Sequence, residues 1–439
     1  MLLVLVVGDV LGAGIYALVG EVGARVGGAI WTAFALALAL ALFTAFAYAE
    51  LVTKYPRAAG AALYVNRAWR RPLLTFMVAF AVMCSGLTSA ATLARAFGGD
   101  YLSVFIDVRT VPVALVFISA VALVNFRGIS DSVRLNLVLT SIELTGLMLV
   151  VLIGAAAIAE GGGAIDAGRA LEFEEGEAVV PAIMGGAGLA FFALIGFEDS
   201  VNLAEETRDP RRAYPRALFG GLLIAGAIYL LVTVVASAVV PTDRLAGSSG
   251  PLLEVVQAGP LSVSTEVFSA IALFALTNGA LINMIMASRI VYGMARERIL
   301  PGGFGRVHRG RRTPWVAIAS TTAVAMVLIV SGDLSDLADT TVLLLLLVFT
   351  TVNVAVLVLR RDSVPHDYFR SPTAMPVIGA GISVALMTTK EAEVFGRAGG
   401  LLVVGLALWT LNWWLHGRHV DPYSTSELEV VERRDLGRG

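Results

Sequence analysis

The chain has 439 residues, of which 57% are hydrophobic and only 15% charged, and its formal net charge at pH 7 is −2. Soluble domains carry about a quarter charged residues, so this composition excludes a soluble globular protein and predicts a polytopic protein of the lipid bilayer. The single cysteine, Cys84, excludes an internal disulfide and a metal site built from several cysteines.

Twelve apolar segments are long enough to be read as membrane spans, since a crossing helix needs roughly 20 apolar residues. The first of them lacks the basic start of a signal peptide and is followed by eleven similar segments, so we count it as a helix. The spans are predicted near residues 2–20, 28–50, 73–97, 110–126, 134–159, 181–203, 217–240, 263–294, 314–331, 337–359, 373–389 and 396–416.

Basic residues are divided unevenly between the loops. Most lie in loops that follow even-numbered spans, for example Lys54, Arg71 and Arg212, whereas the loops on the opposite side carry few. Loops rich in lysine and arginine stay on the cytoplasmic side of a membrane. We therefore expect a multi-pass protein of the cell (plasma or inner) membrane with both termini in the cytoplasm.

Two of the predicted spans are interrupted by flexible or polar residues. "GDVLGAGIY" (8–16) interrupts span 1, and "FFALIGFEDS" (191–200) interrupts span 6. Paired interruptions in corresponding halves of a chain are typical of the substrate site of a transporter. The alternative is that these glycines only let helices pack closely. The paired placement favours a site.

The two interruptions also divide the chain into corresponding parts. Five spans separate them, which predicts a five-plus-five inverted repeat in which residues 1–159 form the first repeat and 181–359 the second. Residues 160–180 would form an acidic extracellular loop between them. Residues 360–416 would add two peripheral spans, and 417–439 a charged cytoplasmic tail.

Unwound backbone inside a membrane survives only beside protein or a wet cavity, because each amide and carbonyl needs a partner. Unwinding at residues 12–14 would free amides at the positive start of a half-helix, which favours an anion such as a carboxylate. Unwinding at residues 193–196 would free carbonyls, which favour an ammonium group. Two such interruptions facing each other would bind a zwitterion through backbone alone.

Several stretches resemble the amino acid–polyamine–organocation superfamily, in particular its cationic-amino-acid-transporter-like branch. The stretches are "LGAGIYALVG" (11–20), "NFRGISDSVRLN" (125–136), "FFALIGFEDSVNLAEETRDPRRAYPRAL" (191–218) and "SRIVYGMARERILP" (288–301) with "RTPWVA" (312–317). The resemblance implies an all-α, LeuT-type fold of twelve helices with helices 1 and 6 broken. It also implies secondary active transport of amino acids or related amines.

The resemblance further implies roles for individual positions. The amides that would take the substrate carboxylate are those of Gly12, Ala13, Gly14 and Ile15. The carbonyls that would take its amine are those of Phe192, Ala193 and Ile195. Phe192 would also be an occluding gate, the alternative being a plain core aromatic. On span 8, Thr277 and Asn278 are candidate substrate contacts, although such groups also hydrogen-bond neighbouring helices.

Ionisable groups at bilayer depth are costly and are candidates for function. Asp9 and Glu198 flank the two interruptions. Glu143 ends "LVLTSIE", where proton-coupled members of this branch often carry a lysine. We hypothesise that Glu143 replaces that lysine as a proton or cation site, with Asp9 and Glu198 as further coupling candidates; the alternative for each is a hydrogen-bonded structural carboxyl. Glu50, near the end of span 2, is expected to be solvated or to cap its helix.

The parts of an enzyme or an ATP-driven pump are missing from the sequence: there is no GxxxxGK[ST] loop, and the four histidines lie in loops or at the end of the last span. We expect no cofactor, no bound metal and no nucleic-acid partner, with H⁺ or Na⁺ as a possible coupling ion. The predicted function is alternating-access, proton- or cation-coupled uptake of amino acids. The alternatives are a cationic amino acid or polyamine exchanger and, from another class, a non-transporting amino acid sensor; the oligomeric state is left open.

Overall fold

The structure is a computed structural model of the chain. It describes residues 2–57, 60–128, 133–161, 165–174, 176, 178–201, 207, 209–261, 263–297 and 299–416. Across these residues helices alternate with short connections, and none of them forms a β-strand. The predicted tail, 417–439, lies outside the described residues, as do residues 202–206 and 129–132 of the motifs quoted above.

Eight helices cover the first part of the chain. They are α1 (Leu2–Val10), α2 (Gly14–Val26), α3 (Ile30–Lys54), α4 (Gly60–Trp69), α5 (Pro72–Phe97), α6 (Asp100–Ser103), α7 (Thr110–Arg127) and α8 (Val133–Glu160).

Nine helices cover the second part. They are α9 (Val179–Ala190), α10 (Pro210–Val239), α11 (Thr242–Ala246), α12 (Pro251–Ala258), α13 (Thr265–Arg296), α14 (Trp315–Ser331), α15 (Leu334–Leu359), α16 (Ala374–Met387) and α17 (Ala392–His416). A 3-10 turn, Phe191–Leu194, continues α9.

Nine helical segments within the described residues are long and apolar enough to cross a membrane, and α1 with α2 forms a bent pair that brings the number to as many as ten. The two halves of the pair meet at 44°. Helices α14 and α16 are also apolar but have only 17 and 14 residues. Each of the twelve predicted spans overlaps one of these elements, and the chain is a multi-pass membrane protein.

The short helices lie at opposite ends of the long ones. Helix α4 joins α3 to α5 at one end, which we call the α4 end, and helices α6, α11 and α12 lie at the other, which we call the α12 end. In the interior, α10 packs on α3, and α13 and α15 both pack on α5. This packing surrounds the α1–α2 pair and the end of α9, and it therefore positions the two predicted interruptions inside the protein.

A buried ion pair closes the α4 end. Glu50, at 1% exposure, accepts hydrogen bonds from Arg360 through both carboxylate oxygens, at 2.9 and 2.7 Å. The backbone amide and hydroxyl of Ser371 donate to the same carboxylate, at 3.0 and 2.7 Å. The expectation that Glu50 is solvated or caps its helix is therefore wrong, because the connection between α15 and α16 folds back over the end of α3 and covers it.

A second buried cluster lies at the α12 end. Asp339 of α15 accepts from Arg25 of α2 at 2.7 Å and from Lys390, whose side chain is fully buried in the connection between α16 and α17. Burial lowers the pKa of Lys390, while the Asp339 carboxylate acts in the opposite direction. Three separate parts of the chain are therefore held together by one carboxylate.

Replacing Arg360 by methionine will leave the Glu50 carboxylate buried without its cation. Removing one partner of a buried ion pair costs about 3–5 kcal/mol, so we expect a clear fall in the unfolding temperature of the purified protein. Arg361→Met is the matched control, because Arg361 is the next residue and its side chain is exposed. Equal unfolding temperatures for the two variants would contradict a stabilising role for the pair.

Candidate functional site

The first break lies between α1 and α2, at residues 11–13. The amide of Gly12 donates to the Val10 carbonyl at 2.7 Å. In the described part of the chain, the amides of Ala13, Gly14 and Ile15 have no backbone acceptor. These amides lie at the start of α2, where the helix dipole is positive. Of the four amides predicted to take a carboxylate, the structure therefore leaves three unbonded and one engaged.

The second break follows α9 and covers residues 191–198. After the 3-10 turn, Ile195 has an extended backbone and Gly196 has φ of +125°, a conformation that is open to glycine and rare for other residues. The Phe192 carbonyl accepts a long hydrogen bond of 3.4 Å from the Ile195 amide. Among the described residues, no backbone amide outside the helical segments donates to the carbonyls of Ala193 or Ile195.

The two breaks touch each other. A Cβ atom added to Gly14 would lie 2.7 Å from the Ala193 Cα and 3.1 Å from a ring carbon of Phe192. A Cβ atom on Gly196 would collide with the backbone carbonyl of Asp9. Glycine is thus required at positions 14 and 196, because the two non-helical segments approach each other closely there. The contact therefore brings the start of α2 against the segment that follows α9.

Small or apolar groups surround this contact. Ala13, Ile15 and Ala193 are buried, and Phe192 is 5% exposed with its ring against Gly14. Gly279 of α13 lies beside the Ala13 side chain: a Cβ atom added to Gly279 would be 3.5 Å from the Ala13 Cβ. The walls of the site therefore supply little charge of their own.

Glu143 of α8 lies behind the first break. It is 2% exposed, and its Oε1 accepts from the side-chain amide of Asn278 at 3.1 Å, while its Oε2 is buried and has no hydrogen-bond partner among the described residues. Its backbone carbonyl accepts from the Tyr16 hydroxyl at 2.7 Å. Of the two candidates on span 8, Asn278 therefore bonds the carboxylate, and Thr277 donates to the Leu273 carbonyl of its own helix at 2.7 Å.

The other two carboxylates have different surroundings. Glu198 accepts from the Gly196 amide at 2.9 Å and so closes the turn of the second break. The Asp9 carboxylate has no hydrogen bond or ion pair with any residue that the structure describes. No three His, Cys, Asp or Glu side chains within those residues are arranged to hold a metal ion. The three carboxylates thus lie near the breaks but do not form one ligand set.

A family model described as amino acid permease matches residues 1–396. The chain belongs to the amino acid permease family. The resemblance to the amino acid–polyamine–organocation superfamily is thereby confirmed, and the permease is an amino acid transporter and not an enzyme.

Individual relatives of the permease carry several transporter names. It is 24% identical to a branched-chain amino acid permease of Bacillus subtilis over 431 residues, which cover 92% of this chain and 88% of the relative. It is 28% identical to the vacuolar cationic amino acid transporter 4 of Arabidopsis thaliana over 380 residues, which cover 82% of this chain and 62% of the relative. A methylthioribose transporter of Bacillus subtilis is 24% identical over 439 residues, which cover 94% of this chain and 91% of the relative.

Tyrosines complete the permease site in a way that the sequence did not predict. Tyr229 of α10 donates to the Val10 carbonyl at 2.6 Å and satisfies the last turn of α1. Tyr101 of α6 donates to the Tyr16 carbonyl at 2.9 Å. Tyr16 lies within the motif at residues 11–20, so the sequence could have indicated that it belongs to the site. Nothing in the sequence near Tyr229 or Tyr101 connects either residue to the first break.

Aromatic packing anchors the second break of the permease. Phe197 is fully buried, and its ring lies 5.9 Å from that of Tyr48 on α3 and 5.5 Å from that of Phe349 on α15. Phe191 also contacts Phe349, at 5.8 Å. The rings hold the non-helical backbone against two long helices, so the unwound segment keeps a defined position.

Replacing Gly14 by alanine will push the two breaks apart, because the added methyl group meets the Ala193 backbone. Misplacement of about 1 Å can cost about a hundredfold in rate, so we expect amino acid uptake into proteoliposomes to fall by about tenfold or more. Gly185→Ala on α9 is the control, since its added Cβ meets no atom within 4 Å. Unfolding temperatures of both variants separate loss of function from loss of fold. A folded Gly14→Ala protein with full uptake would contradict the contact.

Proposed function

We propose that this permease is a secondary active transporter that carries a zwitterionic amino acid by alternating access, through one site between the two breaks. The observation that carries the proposal is the contact between Gly14 and Ala193. It supports a site in which the amides of residues 13–15, which have no acceptor among the described residues, would take one end of the substrate and the carbonyls of residues 193 and 195 the other. The carboxylate and ammonium of an amino acid share one carbon atom, so a single small site with both kinds of backbone group matches them.

The same proposal includes the arrangement in the membrane. Twelve spans would be formed by the α1–α2 pair, by α9 with its 3-10 turn, and by ten further helices that include the short α14 and α16. The first five and the next five would be inverted repeats of a LeuT-type fold. The basic loops at the α4 end support a cytoplasmic position for that end, and the bacterial relatives that are named permeases support the cell membrane.

For the substrate we propose a neutral amino acid with an apolar side chain. The residues at the contact, Ala13, Ile15 and Phe192, are buried and apolar and would suit an apolar side chain. The branched-chain permeases among the relatives support this choice. The Phe192 ring lies against Gly14 and would cover a bound substrate. We therefore propose Phe192 as the gate.

A cationic amino acid or polyamine is the second candidate, and one observation favours it. Asp9 lies in the last turn of α1, beside the second break, and its carboxylate has no partner among the described residues. The cationic amino acid transporters among the relatives support the same candidate. Glu198 and Glu143 favour it less, because each already accepts a hydrogen bond from the protein.

Counterflow of labelled substrate in proteoliposomes will distinguish the two candidates. We expect loading with leucine to drive uptake of labelled leucine, and lysine or spermidine to drive little exchange. Asp9→Asn should then leave leucine counterflow within about twofold of the parent protein. Strong lysine exchange that Asp9→Asn abolishes would establish the cationic substrate instead. Counterflow with none of the three would contradict the proposed substrate classes.

We further propose that Glu143 couples transport to an ion. An ionised carboxylate at bilayer depth is costly without partners, and the Glu143 Oε2 has none among the described residues. Binding a proton would remove the charge. Binding Na⁺ would balance it, since hard cations favour oxygen ligands. The bond from Asn278 holds the other oxygen in place, so either ion would meet a fixed carboxylate next to the first break.

Glu143→Gln will mimic the protonated carboxyl and keep the shape of the side chain. We expect uptake driven by a pH or sodium gradient to lose its dependence on that gradient, while counterflow with equal ions on both sides persists. Glu393→Gln is the control, because Glu393 is exposed at the start of α17. If Glu143→Gln keeps the full ion dependence, coupling lies elsewhere and Asp9 or Glu198 becomes the candidate.

A further inference from the structure

An open groove lies at the α4 end, and none of the residues that line it belongs to either break. It has a volume of about 500 Å³ and runs between the start of α5 and the last part of α17. The residues that line it are Arg71, Pro72, Leu73, Leu74, Met77 and Trp409. Arg71 is cationic and the other five are apolar, and no Asp or Glu of the described residues lines the groove.

The groove lies where a helix crosses from the hydrocarbon of the bilayer to its headgroups. Both α5 and α17 are apolar enough to span a membrane. Trp413 and Trp414, about one turn beyond Trp409, are 52% and 77% exposed, and tryptophans gather at the membrane interface. Leu73 and Leu74 are 42% and 36% exposed. In a bilayer the floor of the groove would therefore face acyl chains and its mouth would face headgroups.

Positive charge is concentrated at the mouth. Arg70 and Arg71 are both exposed, and neither forms an ion pair with a residue that the structure describes. The chain turns sharply there, with φ of +50° at Arg70, and α5 then begins at Pro72. The positive end of the α5 dipole consequently lies beside the two guanidinium groups. Arginine binds phosphate through paired, charge-assisted hydrogen bonds.

We propose that this groove binds one anionic glycerophospholipid, with its phosphate at Arg71 and Arg70 and an acyl chain along Leu74 and Met77 towards Trp409. A soluble anion would leave the apolar floor unused. A zwitterionic headgroup would bring an ammonium group to a mouth that has two arginines and no lining carboxylate. Basic pockets between helices on the cytoplasmic side are a known kind of site for anionic headgroups.

Occupation of the groove would affect more than the surface. Helix α5 packs on α13 and α15 in the interior, and Trp409 of α17 stacks near Phe76 of α5 with ring centroids 5.0 Å apart. A lipid in the groove would hold α5 and α17 together at their ends. Because it would bind the folded protein only, it would raise the unfolding temperature by mass action.

The test uses the full chain, purified in detergent and titrated with dioleoyl-phosphatidylglycerol or dioleoyl-phosphatidylcholine. Native mass spectrometry counts the bound lipids, and thermal unfolding follows stability. We expect one phosphatidylglycerol molecule to bind at least about fivefold more tightly than phosphatidylcholine. Arg71→Gln should remove this preference. Arg296→Gln is the control, because Arg296 is an exposed arginine at the same end of the molecule, on α13, and does not line the groove.

A second variant tests the apolar part. Met77→Trp should fill the groove and weaken binding of both lipids while the protein stays folded. Equal binding of the two lipids, or an unchanged preference in Arg71→Gln, would overturn the proposal. Stabilisation by inorganic phosphate equal to that by the phospholipid would also overturn it. A Met77→Trp protein that changes its oligomeric state on size exclusion and still binds lipid would overturn it too, because the groove would then belong to a contact with a second copy of the chain.

Discussion

The close approach of two non-helical segments is the constraint on which the rest of this structure depends. Backbone groups inside a bilayer must find partners within the protein, and both breaks expose such groups. The Gly14–Ala193 contact and the Gly196–Asp9 contact place the breaks against each other. Groups that would be costly on one isolated helix thereby face a common site. The zwitterionic amino acid that we propose as substrate would satisfy both sets together with its anionic and cationic ends.

The surrounding helices hold this arrangement by different kinds of contact at different depths. Near the site, Phe197 packs between Tyr48 and Phe349, and Tyr229 caps the last turn of α1. Towards the two ends, buried carboxylates are neutralised by cations from distant parts of the chain: Glu50 by Arg360 and Asp339 by Lys390 with Arg25. Such charges are stable only while both partners remain, so they tie the ends of the helices closely.

The carboxylates near the breaks differ in what they have left to bind. Glu198 is occupied by the Gly196 amide and shapes the turn. Glu143 has one oxygen held by Asn278 and one that has no partner in the part of the chain that the structure describes. The Asp9 side chain has no partner among the described residues. These differences support ion coupling at Glu143, a structural role for Glu198, and a role for Asp9 only in the alternative of a cationic substrate. They arise from neighbours on α8, α13 and the second break.

Sequence alone determined the membrane class, the positions of the apolar helices, the two interruptions and the family, because hydrophobic length, glycine clusters and motif order are local properties of the chain. Only the tertiary structure decided which groups meet. It showed that the Gly12 amide is already bonded, that Asn278 serves Glu143, that Glu50 is buried with Arg360, and that tyrosines from α6 and α10 reach the first break. Apart from the local Gly12 bond, these pairs are separated by tens to hundreds of residues. Hydropathy and local motifs carry no information about which distant side chain fills a given space once the helices pack.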